Sequence, residues 1–233
     1  MLTKPDTSTT ITLSNGQEIP RLGMGCWAIG GPFFAGDTPL GWGEVDDNES
    51  LAAINRAIDL GIRFFDTASN YGAGHSEEVL GQAIGNRADI VIATKFGFAT
   101  NPETKQATGA FADPVFIRQS VETSLRRLKR ERLDLLQFHL NDFALDQSDA
   151  VFDTLQALRE EGKIDAFGWS TDFPDRAARH VHRSGFVSLQ HTMNVFEPVP
   201  RMIDVIEKND LISINRGPLA MGLLTGKFTP DKA

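Results

Sequence analysis

The sequence predicts an α/β fold built on a parallel sheet. Short apolar runs of strand length alternate with longer amphipathic runs of helical period along most of the chain. Seven such strands with six intervening helices form a repeated βα pattern, and right-handed crossovers then favour parallel pairing. The two longest insertions, Cys26 to Val45 and Gly97 to Ala112, are rich in Gly, Pro or Thr, and each follows a strand. A doubly wound open sheet and a closed (β/α) barrel both satisfy this count. In a barrel, the loops that follow strands build the ligand-binding face.

Taken in order, ITLSNGQEI reads as two short runs around Asn15-Gly16, a hairpin signal placed to plug one end of a barrel. The strands centre on Leu22, Phe64, Val91, Leu135, Phe167, Leu189 and Ile212. The first helix, Asp46 to Leu60, opens on an acidic cap with Glu49 three residues on, and carries Leu51, Ile54 and Ile58 on one face. Ser76 to Ile84 is short. Pro114 to Leu128 starts with Asp113 as cap and Pro114 in the first turn. Asp149 to Glu160 places Val151, Leu155 and Leu158 at helical spacing, and Pro174 to Ser184 and Arg201 to Lys208 complete the series. Low-complexity segments and interdomain linkers are absent, so residues 1–233 are expected to form a single domain.

Composition narrows the function classes. With 23 Lys and Arg against 31 Asp and Glu, the net charge is −8, which disfavours nucleic acid or an anionic membrane as partner. One cysteine excludes an intrachain disulfide and a multi-thiolate metal site, and fits a reducing compartment. The polar start lacks the apolar core of a signal peptide, and no run approaches the ~20 apolar residues of a membrane helix. A cytoplasmic protein is expected.

Four ionisable residues stand at or just after strand ends. Asp66 ends the apolar run of RFFDTASNYG, and Tyr71, the only tyrosine, follows five residues later. Lys95 closes VIATK, and His139 closes LDLLQFH. One such residue is ordinarily a cap, a snorkelling cation or a hydrogen-bonded filler. Four of them on strands two, three and four converge on one cavity if those strands are parallel and adjacent. A tyrosine with its usual pKa of about 10 is a poor acid at neutral pH. An ammonium nearby lowers that value, a carboxylate holds the ammonium, and an imidazole orients a polar oxygen. The set reads as a proton donor for a carbonyl becoming an alcohol, with a phenol expected to ionise below its free value. GMGCWA at Gly23 to Ala28 matches a dinucleotide template, but Gly30-Gly31-Pro32 follows where that template needs a helix. Its glycines fit a strand end that something approaches closely.

With LGMGCW, FFDTASNYG, SEEVLG, VIATKFG, SLRRLKRERLDLLQFH, LREEGKIDAFGWS and GPLAMGLLTGK, the chain resembles the aldo-keto reductase family over roughly residues 10 to 230. The resemblance implies a (β/α)8 TIM barrel and carbonyl reduction by NADPH bound without a Rossmann fold. It implies a catalytic tetrad: Tyr71 as proton donor, Lys95 tuning the phenol and held by Asp66, and His139 orienting the carbonyl. It places the cofactor against Gly25, Cys26 and Trp27, beside Asp66, at Ser170 and Gln190, and along Gly217, Leu219 and Gly222. Thr171 stands where the family usually has Asn, and Arg216 where an aromatic often stacks on the nicotinamide. A planar guanidinium can take that stacking place. Met24 completes the strand-one wall, with Cys26 as a small, unreactive pocket-wall residue. Relatives continue past GLLTGKFTPDKA into an eighth strand and the segment that grips the adenosine phosphate. The expectation is therefore a barrel lacking its eighth strand, with two unpaired edges. A nicotinamide-sensing regulatory protein on the same scaffold is the alternative function.

The remaining clusters read as structural. His180 and His182 face apart on a helix, SLRRLKRER is a solvated helix face, and Asp46, Asp47 and Asn48 form a cap without the features of a calcium loop, so no metal site is expected. Trp27, Trp42, Phe33 and Phe34 are candidates for an apolar wall in a pocket that takes a small carbonyl compound.

Overall fold

The computed structural model describes residues 9–13, 16 and 18–228. Its centre is a seven-stranded parallel sheet: β1 (Met24–Gly25), β2 (Phe64–Asp66), β3 (Val91–Phe96), β4 (Leu133–Phe138), β5 (Ile164–Ser170), β6 (Phe186–Thr192) and β7 (Ile212–Arg216). The strands lie side by side in chain order from β1 to β7. Between them run α1 (Asp47–Asp59), α2 (His75–Ala83), α3 (Pro114–Leu128), α4 (Ser148–Glu160), α5 (Pro174–Ala178) and α6 (Pro200–Lys208).

Which of the two parallel-sheet architectures forms is decided by packing. Sequential helices touch one another, α1 on α2, α2 on α3, α3 on α4 and α5 on α6, so they share one face of the sheet. On the other face Ala93, Leu135, Ala166 and Ile214 cluster with Phe64, Val187 and Ile212. Those residues come from strands two to seven, and they can meet only if the sheet curls. The result is an open barrel of seven parallel strands. Neither β1 nor β7 has a second strand neighbour among the described residues. A cavity of about 560 Å³ runs inside the curl and along this opening, with Met24, Phe64, Leu135 and Ile214 in its wall.

The hairpin pairs Thr10–Thr12 with Glu18–Pro20 in antiparallel register, Ile11 opposite Ile19. Gly16 takes the positive φ its turn needs, and Asn15 lies outside the described residues. The strand expected around Leu22 forms instead at Met24–Gly25, and Leu22 is exposed. Pro20 ends the hairpin strand and only two residues of β1 pair with β2. Gly23 allows that approach, because a Cβ there would come within 2.6 Å of the Phe64 ring.

The insertions are not plain loops. Phe34–Ala35, Thr38–Pro39, Phe98–Asn101 and Gln106–Ala110 assemble into a four-stranded sheet across the mouth. The Gln106 amide closes the seam by exchanging two hydrogen bonds with the backbone of Gly36.

The main core lies between sheet and helices, where Phe152 and Trp169 pack among Phe138, Phe167 and Phe186. His180 belongs to this layer. Its ring stacks on Phe152 at 4.0 Å, and Nε2 lies 2.7 Å from Ser148 Oγ, which donates to the Leu145 carbonyl. Arg183 Nε donates to Nδ1. Burial, helped by Arg183, pushes the imidazole down from 6.5 to about 4. The unfolded chain therefore takes the proton first, and the stability gained by keeping His180 neutral is complete above pH 6.5 and lost as pH falls toward 4. The expected result is that wild type and His180→Asn converge in melting temperature across this window. A gap that stays constant with pH would contradict the assignment.

Candidate active site

The tetrad residues meet at the end of the barrel that the small sheet covers. Asp66 ends β2, and its Oδ2 lies 2.7 Å from Lys95 Nζ on β3. The same ammonium donates to the Thr67 carbonyl at 2.6 Å and to the Tyr71 hydroxyl at 3.3 Å. Lys95 is fully buried, a position an ammonium tolerates only with partners such as these. Backbone bonds from Thr67 to Ala93 and from Ser69 to Lys95 extend the β2–β3 ladder and aim the chain toward Tyr71.

Tyr71 opens a tight turn, Tyr71–Gly74, in which Gly72 and Ala73 are both left-handed. Gly72 answers to a second demand as well. A Cβ there would lie 1.8 Å from the Gly30 carbonyl, so the first insertion docks directly on the tyrosine turn. Trp27 stacks beside the Tyr71 ring at 6.1 Å, and Trp42 meets Trp27 edge-on. His139 follows β4, hydrogen-bonded through its backbone to Phe96, with its ring edge-on to Tyr71 and to Phe98.

The electrostatics follow from burial against charge. Burial alone would discharge Lys95, but Asp66 and Tyr71 outweigh it and its pKa is raised. His139 is pushed well down by burial, with Lys95 and Arg216 adding to the effect, so it stands as a neutral imidazole. Tyr71 departs from the expectation. Burial raises the phenol pKa and the Lys95 ammonium only partly offsets it, so the net direction is up. The sequence showed the cation beside the phenol and not the low-polarity walls around both.

Among the expected cofactor contacts, the Gln190 amide donates to Asp66 Oδ1 at 2.9 Å and Ser170 Oγ donates to Gln190 Oε1 at 3.4 Å. One polar chain thus runs from β5 through β6 to the tetrad. Ser170, Gln190, Trp27, Asp66, Arg216, Gly217, Leu219 and Gly222 all line a cavity of about 1450 Å³ that also holds Tyr71 and His139. Gly25 is open, with nothing within 4 Å of where a Cβ would stand. Thr171 turns away: its hydroxyl donates to the Asn141 carbonyl. Cys26 borders the smaller cavity, with its side chain wholly buried in the core between sheet and helices. Burial and Asp66 push the thiol pKa far up, which leaves it unreactive.

Arg216 forms an ion pair with Asp172, whose other oxygen accepts from the Thr192 amide at 2.8 Å. The pair ties β7 to the loop after β5. Asp172, Asn141 and Asn70 escaped the sequence reading. Each sits within two residues of an identified one, which is the only signal they give. Asn70 lines the large cavity beside Tyr71, and its Oδ1 is buried without a protein partner. The described residues contain no cluster of His, Cys, Asp or Glu that could hold a metal ion, and no helix long and apolar enough to cross a membrane.

A profile of the Aldo/keto reductase family matches residues 21–233. The chain belongs to that family. It is 33% identical over 214 residues to "Uncharacterized oxidoreductase YqkF" of Bacillus subtilis, covering 90% of this chain and 64% of the relative. It is 29% identical to the "NADH-specific methylglyoxal reductase" of Escherichia coli, covering 96% and 69%. Among solved structures, the glycerol dehydrogenase AKR11B4 from Gluconobacter oxydans superposes with a TM-score of 0.84 at 33% identity, over 97% of this chain and 68% of that one. The chain thus spans just under two thirds of the length of the first of these relatives.

Aldo-keto reductases are nicotinamide-dependent oxidoreductases, and the residues present fit such a group. Two buried polar atoms at the large cavity, Arg216 Nε as donor and Asn70 Oδ1 as acceptor, have no protein partner. The left-handed Gly217 and Gly222 leave the backbone bare along the same rim, where a ligand can approach closely.

Proposed function

We propose that this chain carries the active site of a carbonyl reductase that converts an aldehyde or ketone to an alcohol, with NADPH as the reductant and Tyr71 as the proton donor. The observation that carries the reading is the buried Lys95 ammonium within hydrogen-bonding distance of both Asp66 and the Tyr71 hydroxyl, at a cavity shared with a neutral His139. Ser170, Gln190, Trp27, Arg216 and the Gly217–Gly222 rim would hold the cofactor, which supplies a hydride to the carbonyl carbon when bound. Asp66 borders the same place, Gly25 lines the smaller cavity that Asp66 also borders, and Thr171 supports the site from behind through Asn141.

His139 donates a hydrogen bond to the substrate oxygen without delivering its proton, since it is neutral. Tyr71 then gives its proton to the developing alkoxide, a far stronger base than phenolate. A phenol pKa raised by burial keeps that proton in place until the oxygen demands it. Lys95 stabilises the phenolate left behind, and Asp66 keeps Lys95 charged. Trp27, Trp42 and Phe98 give one side of the cavity an apolar wall.

The test is steady-state oxidation of NADPH and NADH with a panel of small aldehydes and ketones. The expected result is turnover that depends on the carbonyl compound, with NADPH preferred. The NADH named for the E. coli relative makes the second cofactor the necessary comparison. Tight cofactor binding with no turnover would favour the sensing protein instead.

A further inference from the structure

Outside the cavity, on the helix side of the sheet, a second charged cluster grips the tyrosine turn. Arg127, in the last turn of α3, donates through Nη1 to the Ser69 carbonyl at 3.4 Å and through Nη2 to the Ala73 carbonyl at 3.3 Å. These two carbonyls stand two residues before and two residues after Tyr71. The guanidinium is anchored by Glu77, a fully buried carboxylate near the start of α2, through Nη1 to Oε2 at 3.3 Å. The other Glu77 oxygen accepts from Thr94 at 2.6 Å, and Thr94 is the residue before Lys95 on β3. Gly74 completes the fit: a Cβ there would lie 2.0 Å from Arg127 Cζ. Ala73, left-handed at φ 56°, holds a conformation that persists only where its surroundings impose it.

We infer that Arg127 and Glu77 are positioning residues that set the Tyr71 hydroxyl against the Lys95 ammonium. The link is continuous, from the Lys95 strand through Thr94 and Glu77 to Arg127, and from Arg127 to both ends of the turn. A planar fork is needed, because one group must reach two carbonyls and a carboxylate together. Neither residue touches the cavity, so neither contacts substrate or cofactor. The catalytic consequence rests on the carbonyl reductase reading; the geometric claim does not.

Tyr71 is the only tyrosine, which makes its phenol a single-site probe. The experiment titrates the full chain, with tyrosine isotopically labelled at Cζ, by NMR in wild type and in Arg127→Lys. Lysine keeps a charge opposite Glu77 but cannot span the turn. The expected result is a phenol midpoint above that of wild type, because a hydroxyl displaced from the Lys95 ammonium loses the charge that lowers its pKa. In the same variant kcat drops by about 10- to 100-fold while KM stays within about threefold, the pattern of a displaced reacting group. Glu77→Gln/Arg127→Met removes both buried charges and is expected to move the phenol in the same direction. An unchanged phenol midpoint and resonance in either folded variant would overturn the inference, whatever happens to its melting temperature. If wild type reduces no carbonyl compound, the functional reading fails, and the phenol titration still decides the positioning claim.

Discussion

Tyr71→Phe is expected to lower kcat for carbonyl reduction by about a thousandfold, within the range by which a positioned general acid accelerates proton transfer. The substitution removes one hydroxyl and little else. The Phe ring still stacks beside Trp27 and still lies edge-on to His139, so the cavity keeps its walls. Lys95 keeps its bonds to Asp66 and the Thr67 carbonyl, which leaves its charge satisfied. Cofactor affinity, read from quenching of tryptophan fluorescence, should therefore stay within about threefold, since uniform binding is untouched while an interaction with the transition state is lost. Near-normal aldehyde reduction by the Phe variant would remove Tyr71 from the proton-donor role.

What the sequence made legible was the radial logic of the barrel. Asp66, Lys95 and His139 each end an apolar strand, and a charged or polar residue in that place must either reach water or find partners. Parallel neighbours in chain order then bring the three together. Phe64, Asp66, Ala93 and Lys95 alternate with Phe65 and Thr94, and that period of two separates the barrel interior from the helix face. The alternation is also why Thr94 faces Glu77 while its neighbour faces the tetrad.

The illegible features depend on contacts between distant segments. The short β1 is set by Gly23 packing on Phe64, and the mouth sheet by an amide seam between Gln106 and Gly36. No local pattern announces either. The direction of the Tyr71 shift needed the balance of burial against charge, and a sequence shows only the charge. Arg127 reads as part of a basic, solvated run, yet it is 15% exposed and turned toward Glu77. Its neighbour Arg126 lies on the solvated side, so the run contains both cases and spacing alone does not separate them.

Lys95→Met is expected to be the most damaging single substitution, because it breaks a buried ion pair while leaving one member behind. The cost of stranding a buried charge is about 3–5 kcal/mol. Asp66 is 18% exposed and keeps its bond from Gln190, so the lower end of that range applies. The Thr67 carbonyl loses its 2.6 Å partner as well. Chemical denaturation should show a lower midpoint with an unchanged slope, the sign of lost stability without a changed denatured state. The phenol should titrate even higher than in wild type, since the one strong influence that lowers its pKa has gone. Asp66→Asn/Lys95→Met then separates fold from chemistry. Removing the stranded carboxylate should restore much of the stability and none of the turnover, because the phenolate formed on proton transfer still has no cation beside it. A double variant that regained both would mean that Lys95 holds the barrel together and contributes nothing to the reacting tyrosine.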